Sequence, residues 1–151
     1  MRQPDICPAD SSDLAVRARG ALERVCSGKN LDAPERYYSP SFVDHVNDME
    51  FHGLEGTRKS VELYKRVLED IDIKVEEQLV DGDRVTSRFV VTGRSGARRV
   101  RFTGITISRF EDGRIVEDWS VTDTLVLLRQ LGPWRSVLLG LRSWRTVKAA
   151  R

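Results

Sequence analysis

The stretch Phe102-Thr-Gly-Ile-Thr-Ile-Ser-Arg-Phe-Glu-Asp-Gly-Arg-Ile-Val-Glu-Asp-Trp-Ser-Val-Thr-Asp-Thr-Leu-Val-Leu-Leu-Arg-Gln-Leu-Gly132 decides the fold. Two β-branched and aromatic runs flank Glu111-Asp112-Gly113, where glycine is free to take positive φ, and together they spell a hairpin. The second run ends at Asp123, where alternation gives way to the helical run Thr124 to Leu131. If that strand is regular, Ile115, Glu117, Trp119, Val121 and Asp123 share one face, and Arg114, Val116, Asp118 and Ser120 the other. The odd-numbered face is the more apolar, so it is expected to look inward, with Glu117 and Asp123 against the interior. Desolvation raises a carboxylate's proton affinity and suits it to take a proton from an acidic C–H and return it elsewhere. Asp123 also reads as the N-cap of the following helix, which favours its charged form. The two roles are compatible.

Upstream, Ser12 or Asp13 caps a helix with Leu14, Ala18, Leu22 and Val25 on its apolar face, Ala21 and Cys26 beside them, and Gly28 at its end. Asp32 caps a short helix running to Tyr38, which Ser39-Pro40 breaks, and residues 42–46 are a short extended piece. A longer helix begun by Thr57 buries Val61, Tyr64, Val67 or Leu68, and Ile71. The period then switches from 3.6 to 2. Ile71, Ile73, Val75 and Leu79 alternate with charged residues, interrupted by Glu77, and runs at 84–92, 99–110 and 114–122 follow. Turns fall at Asp81-Gly82-Asp83, Ser95-Gly96 and Asp112-Gly113. Helices first and an antiparallel meander afterwards make an α+β domain.

Several segments in this order resemble the SnoaL-like polyketide cyclases of the nuclear-transport-factor-like (NTF2-like) superfamily, over roughly residues 13–132. They are Tyr37-Tyr-Ser-Pro-Ser-Phe-Val-Asp-His45, Gly53-Leu-Glu-Gly56, Gly82-Asp-Arg-Val85, and the closing Trp119-x-x-x-Asp123-x-x-x-Leu-Leu-x-Gln-Leu-Gly132. The resemblance implies a cone-shaped, curved antiparallel sheet wrapped around the N-terminal helices, with an apolar pocket at the wide end. It also implies cofactor-free chemistry, a homodimer, and Asp123 as the catalytic acid/base. A histidine or acid at the place of His45 commonly faces the pocket in the family, so His45 is the second catalytic candidate, able to activate a carbonyl or steer Asp123. Related ketosteroid isomerases carry their base near this segment, which adds Asp44. Tyr37, Tyr64, Glu117 and Trp119 complete the expected pocket lining; core packing is the alternative for Trp119 and Tyr64. Arg88 stands on the polar parity of its strand and is expected in solvent or on a dimer face. The chain departs from the family in its short connection around Ser95-Gly96, in a missing strand histidine, and in Asp118 where a histidine commonly precedes the tryptophan.

The composition fits one globular domain: 151 residues, 40% hydrophobic and 32% charged. A net charge of +2 gives no reason to expect a nucleic-acid partner. The two cysteines, Cys7 and Cys26, have no zinc-site spacing with histidine, no metal is expected, and the polar start gives no reason to expect a signal peptide. A reducing cytoplasm is the expected home. Residues 1–12 read as a flexible leader and 133–151 as a basic tail with five basic and no acidic residues, leaving 20 basic and 23 acidic in residues 1–132. In the tail Trp134, Val137, Leu138, Leu141 and Trp144 share one helical face, which packs on its own domain or a second subunit, or lies weakly on a membrane surface through residues 134–148. The dimer is expected through Phe102, Thr106, Val90 and Val116 on the outer face of the sheet. The leading functional expectation is cofactor-independent aldol ring closure of an apolar keto-ester, a polyketide-type small molecule. A ligand-binding or dimerisation module of the same fold is the alternative. Epoxide hydrolysis ranks below both, because no Arg-x-Asp pair stands on the strand before Glu117 and Asp118.

Overall fold

The computed structural model describes residues 11–31 and 34–132. The leader up to Asp10, the Asp32 cap and the helix expected over residues 133–151 lie outside them. Helix α1 (Ser11–Gly20) continues as one π-helical stretch, Ala21–Cys26. Its buried side is Leu14, Ala18, Ala21, Leu22 and Val25, the apolar face legible in the sequence. Only a 3₁₀ turn, Pro34–Arg36, stands where a helix to Tyr38 was expected. Strand β1 (Tyr38–Val46) already begins at Tyr38 and runs through Pro40. The proline is tolerated because β1's pairing register is irregular between Tyr38 and Val43, so no ladder bond is asked of it.

Then follow β2 (Met49–His52), α2 (Gly53–Lys65), β3 (Glu69–Asp81), β4 (Arg84–Ser95), β5 (Arg98–Glu111), β6 (Arg114–Thr122) and α3 (Thr124–Leu131). They form one curved sheet in the order β2-β1-β6-β5-β4-β3, open between its edge strands β2 and β3. The α+β class is the expected one. The meander β3 to β6 is antiparallel, whereas β1 joins β6 in parallel, so the sheet is mixed. At the Asp112-Gly113 turn both residues have positive φ, 48° and 72°, the pattern whose twist matches that of the flanking strands.

Two bulges control what faces inward. Phe110 pairs with Ile115 but Arg109 pairs with Glu117, so Val116 is an extra residue in β6. One extra residue reverses the side-chain parity beyond it. Ile115 and Asp118 therefore both point inward and are buried, while Glu117, Trp119 and Val121 point outward. This corrects the expectation that the odd-numbered face of the last strand looks inward. Likewise Val75 pairs with Phe89 and Glu77 with Arg88, making Glu76 an extra residue in β3. Ile71, Ile73 and Val75 are buried, but Leu79, past the bulge, is 67% exposed.

The buried side chains form two clusters. Leu22, Ile73, Phe89, Phe102, Leu127 and Leu131 belong to one, and Leu14, Val25, Tyr38, Phe42, Phe110 and Ile115 to the other. Phe102 and Thr106 point into the core and Val90 is covered, so the outer face does not carry the apolar set expected of it. Its exposed apolar residues include Leu79, Ile105, Ile107 and Val121. Among the described residues no helix is long and apolar enough to cross a membrane.

Candidate functional site

Beyond the Val116 bulge, β6 sends Asp118, Ser120 and Thr122 to the concave side, and the parallel β1 sends Asp44 and Val46 to the same side. These residues line a cavity of about 620 Å³, open mouth included. The opposite wall is apolar: Ile71, Ile73, Phe89, Val91 and Phe102. Helical residues Leu22, Cys26, Ser60, Val61 and Tyr64 complete the lining.

Asp44 and Asp118 are directly paired in the β1–β6 ladder, so the two carboxyl groups sit side by side. Both are buried, at 8% and 5% exposure. Burial raises the Asp44 carboxyl to about 6, against a bond from Ser60 and the nearby His45, which pull it down. Asp118 is pushed well above the usual carboxylate range, first by burial and then by the charge of Asp44, against a bond from Ser108. Two close carboxylates in an apolar site cannot both ionise cheaply, so near neutral pH the pair shares one proton. One oxygen of Asp118, Oδ1, is buried without a hydrogen-bond partner. A buried polar atom without a partner is costly, and here it borders the cavity.

Around the pair, Cys26 Sγ lies 3.3 Å from Tyr38 Oη. Burial pushes the thiol up to about 12 and the phenol above its ordinary value, so both stay neutral beside the carboxyls. Toward Thr122, Tyr64 Oη stands 3.4 Å from the Thr122 hydroxyl, which also accepts from Asn47 Nδ2 at 3.2 Å. Burial raises the Tyr64 phenol too. Among the described residues no cluster of three His, Cys, Asp or Glu side chains could hold a metal ion.

Of the residues singled out in the sequence, the structure brings Asp44 and Tyr64 to the cavity. Asp123 is exposed at the start of α3, and its Oδ1 accepts from the Val126 backbone N–H at 3.0 Å. It caps the helix and does not line the cavity, because β6 ends before it and the chain turns. His45 alternates with Asp44 and points to the outer face, where it stacks on Trp119 and meets Glu117. The bulge places Glu117 and Trp119 there as well. Tyr37 is half-buried against Gly20 at the edge of the α1 cluster, while its neighbour Tyr38 takes the inward place. Arg88 is exposed and bonds Glu76 and Glu77. Asp118 was assigned to the outer face in the sequence, and Ser60, Ser108 and Thr122 were not singled out. The Asp44–Asp118 meeting depends on a parallel pairing of segments more than 70 residues apart, which no local pattern announces.

A family model, "SnoaL-like polyketide cyclase", matches residues 16–131. No curated protein matches the chain significantly. Among solved structures, the chain resembles a protein assigned as a polyketide cyclase from Bacillus cereus ATCC 10987, with 26% identity, TM-score 0.71, and 86% of this chain and 87% of that chain covered. It also resembles AclR, assigned as a hydroxylase, from Streptomyces galilaeus, at 25% identity and TM-score 0.67, covering 83% and 97% of the two chains. A protein of ketosteroid isomerase-like fold from Catenulispora acidiphila DSM 44928 matches at 16% identity and TM-score 0.66, covering 78% and 90%, a likeness of fold alone.

Proposed function

Since the chain belongs to the SnoaL-like polyketide cyclase family, we propose that it is a cofactor-independent, cyclase-like enzyme whose acid–base machinery is the Asp44–Asp118 pair. The observation that carries this reading is the pair itself: two buried, adjacent carboxyls bordering an apolar cavity, one with an unpartnered oxygen. Asp44, the more easily ionised, takes a proton from a carbon flanked by two carbonyls in an apolar keto-ester. Asp118, which holds the shared proton, donates it to the carbonyl oxygen as negative charge develops there. The enol carbon then attacks a second carbonyl of the same molecule and forms the new carbon–carbon bond. That carbonyl oxygen takes the proton from Asp44, and the enol O–H returns its proton to Asp118. Both residues end as they began, and no atom is lost. The apolar wall of Phe89, Val91 and Phe102 holds the chain folded, so the closure is unimolecular.

The earlier assignment of the base to Asp123 has the cap bond against it, since that residue does not reach the cavity. A hydrolase reading needs an arginine between two acids, and among the described residues no arginine lines the cavity. The test is hydrogen exchange at the activated carbon of a cyclisable β-keto ester in D₂O, followed by NMR. Wild type is expected to accelerate exchange, and Asp44→Asn to slow it by roughly 10²-fold or more. Binding of the ester without any acceleration would make the protein a ligand carrier instead.

A further inference from the structure

His45 and Trp119 occupy the rung next to Asp44 and Asp118 on the β1–β6 ladder, which is a parallel pairing in an otherwise antiparallel set of described strands. On a strand, successive residues face opposite sides, so each residue of the outer pair is chain-adjacent to one of the inner pair. The outer pair is built with unusual completeness. The imidazole stacks on the Trp119 ring at 5.7 Å between centroids and 12° between planes. Its Nδ1 stands 3.0 Å from Glu50 Oε2 on β2, and its Nε2 3.0 Å from Glu117 Oε1 on β6. Ionised carboxylates only accept hydrogen bonds, so both contacts are satisfied together only when the ring carries two N–H groups and a positive charge. Arg109 on β5 binds the other oxygen of Glu117 at 3.1 Å, His52 meets Glu50 at 2.9 Å, and the Arg84 guanidinium lies 5.3 Å from the Trp119 ring centroid. His45 is the first cause that holds the Glu117 carboxyl below its ordinary range. The clamp thus spans β2, β1, β6 and β5, across the junction that presents the two acids.

We propose that His45 is a positioning residue for the Asp44–Asp118 pair, acting from the outer face of the sheet: its clamped, cationic ring fixes the β1–β6 rung and biases the shared proton onto Asp118. Two chemically equal carboxyls need some asymmetry if one is to be base and the other acid. The groups nearest each supply it. Ser60 and the positive charge of His45 favour ionisation of Asp44, whereas Asp118 has only the Ser108 bond to favour ionisation and the charge of Asp44 to oppose it. The inference rests on the acid–base reading for its meaning, but its measurement does not use turnover.

The experiment is a ¹³C NMR titration of the Asp44 carboxyl carbon, assigned by its loss in Asp44→Asn. Removing the charge in His45→Gln is expected to raise the proton affinity of Asp44 by about three-fold, the scale of one partly solvated charge nearby. His45→Lys, which restores a cation beside Glu50 and Glu117, is expected to return it to the wild-type value. An unchanged Asp44 in His45→Gln would overturn the proposal, and so would equal shifts in both variants, which would mean packing rather than charge. If His45→Gln does not fold, His45→Asn gives a second reading: the same rise in the proton affinity of Asp44 is expected, and an unchanged Asp44 would overturn the proposal as well. If the titrations behave as expected while no keto-ester exchange is found, the cyclase reading falls and the role of His45 stands.

Discussion

Burial keeps the Asp118 carboxyl protonated, with one of its oxygens left without a partner. A carboxyl whose folded-state proton affinity is raised makes the protein bind more protons when folded than when unfolded. Stability from such a group is fully present below the unfolded value near pH 4 and is lost as pH rises through the folded value. For Asp44 that window runs from about pH 4 to about pH 6, a loss on the order of 3 kcal/mol at most, and for Asp118 it extends higher. Asp118→Asn removes the carboxyl while keeping its shape. Its melting temperature is therefore expected to exceed that of wild type by a margin that grows between pH 4 and pH 8. A margin that stays flat or shrinks with pH would mean that Asp118 is ionised in the folded state. Asp123 behaves oppositely. Asp123→Ala is expected to cost about 1 kcal/mol through the lost bond to Val126 N–H, and Asp123→Asn almost nothing, in a urea titration. The cap was legible in the sequence because capping is local. Burial of Asp118 was not, because it depends on what lies beyond the strand.

At the scale of elements, the sequence displayed the strands and hid the bulges. The Asp112-Gly113 hairpin, the Gly82 turn and the apolar face of α1 follow from local chemistry and stand where expected. Val116 and Glu76 look like ordinary strand residues, and only the pairing partner reveals that each is one too many. Deleting Val116 is expected to cost more than about 4 kcal/mol, because it would turn either Ile115 or Asp118 to the wrong face. A urea midpoint close to wild type would show that β6 re-registers freely. A second element-level device is Gly104, opposite Phe89 in the β4–β5 ladder. A Cβ there would stand 2.4 Å from Phe89 Cζ, so the missing side chain makes room for the ring that walls the cavity. Gly104→Ala is expected to cost about 1–3 kcal/mol and to weaken ligand binding by pushing that ring into the cavity, visible as a lowered melting temperature and a raised Kd.

For the whole molecule, the order of helices and strands sufficed for the α+β class, and the ordered segments quoted from Tyr37 to Gly132 sufficed for the family. The parallel β1–β6 junction, which assembles the cavity, joins distant segments and left no local trace. The outer face is expected to support a homodimer through Ile105, Ile107 and Val121, with light scattering giving twice the monomer mass and Ile105→Asp returning it to monomer. A wild-type protein that stays monomeric at micromolar concentration would remove that expectation. The central claim is that proton transfer belongs to the buried pair and not to the cap, and turnover of one cyclisable keto-ester by three folded variants tests it most directly. Asp44→Asn and Asp118→Asn are expected to fall by roughly 10²-fold or more, while Asp123→Asn keeps the wild-type rate. Full activity in Asp118→Asn together with its loss in Asp123→Asn would contradict the account.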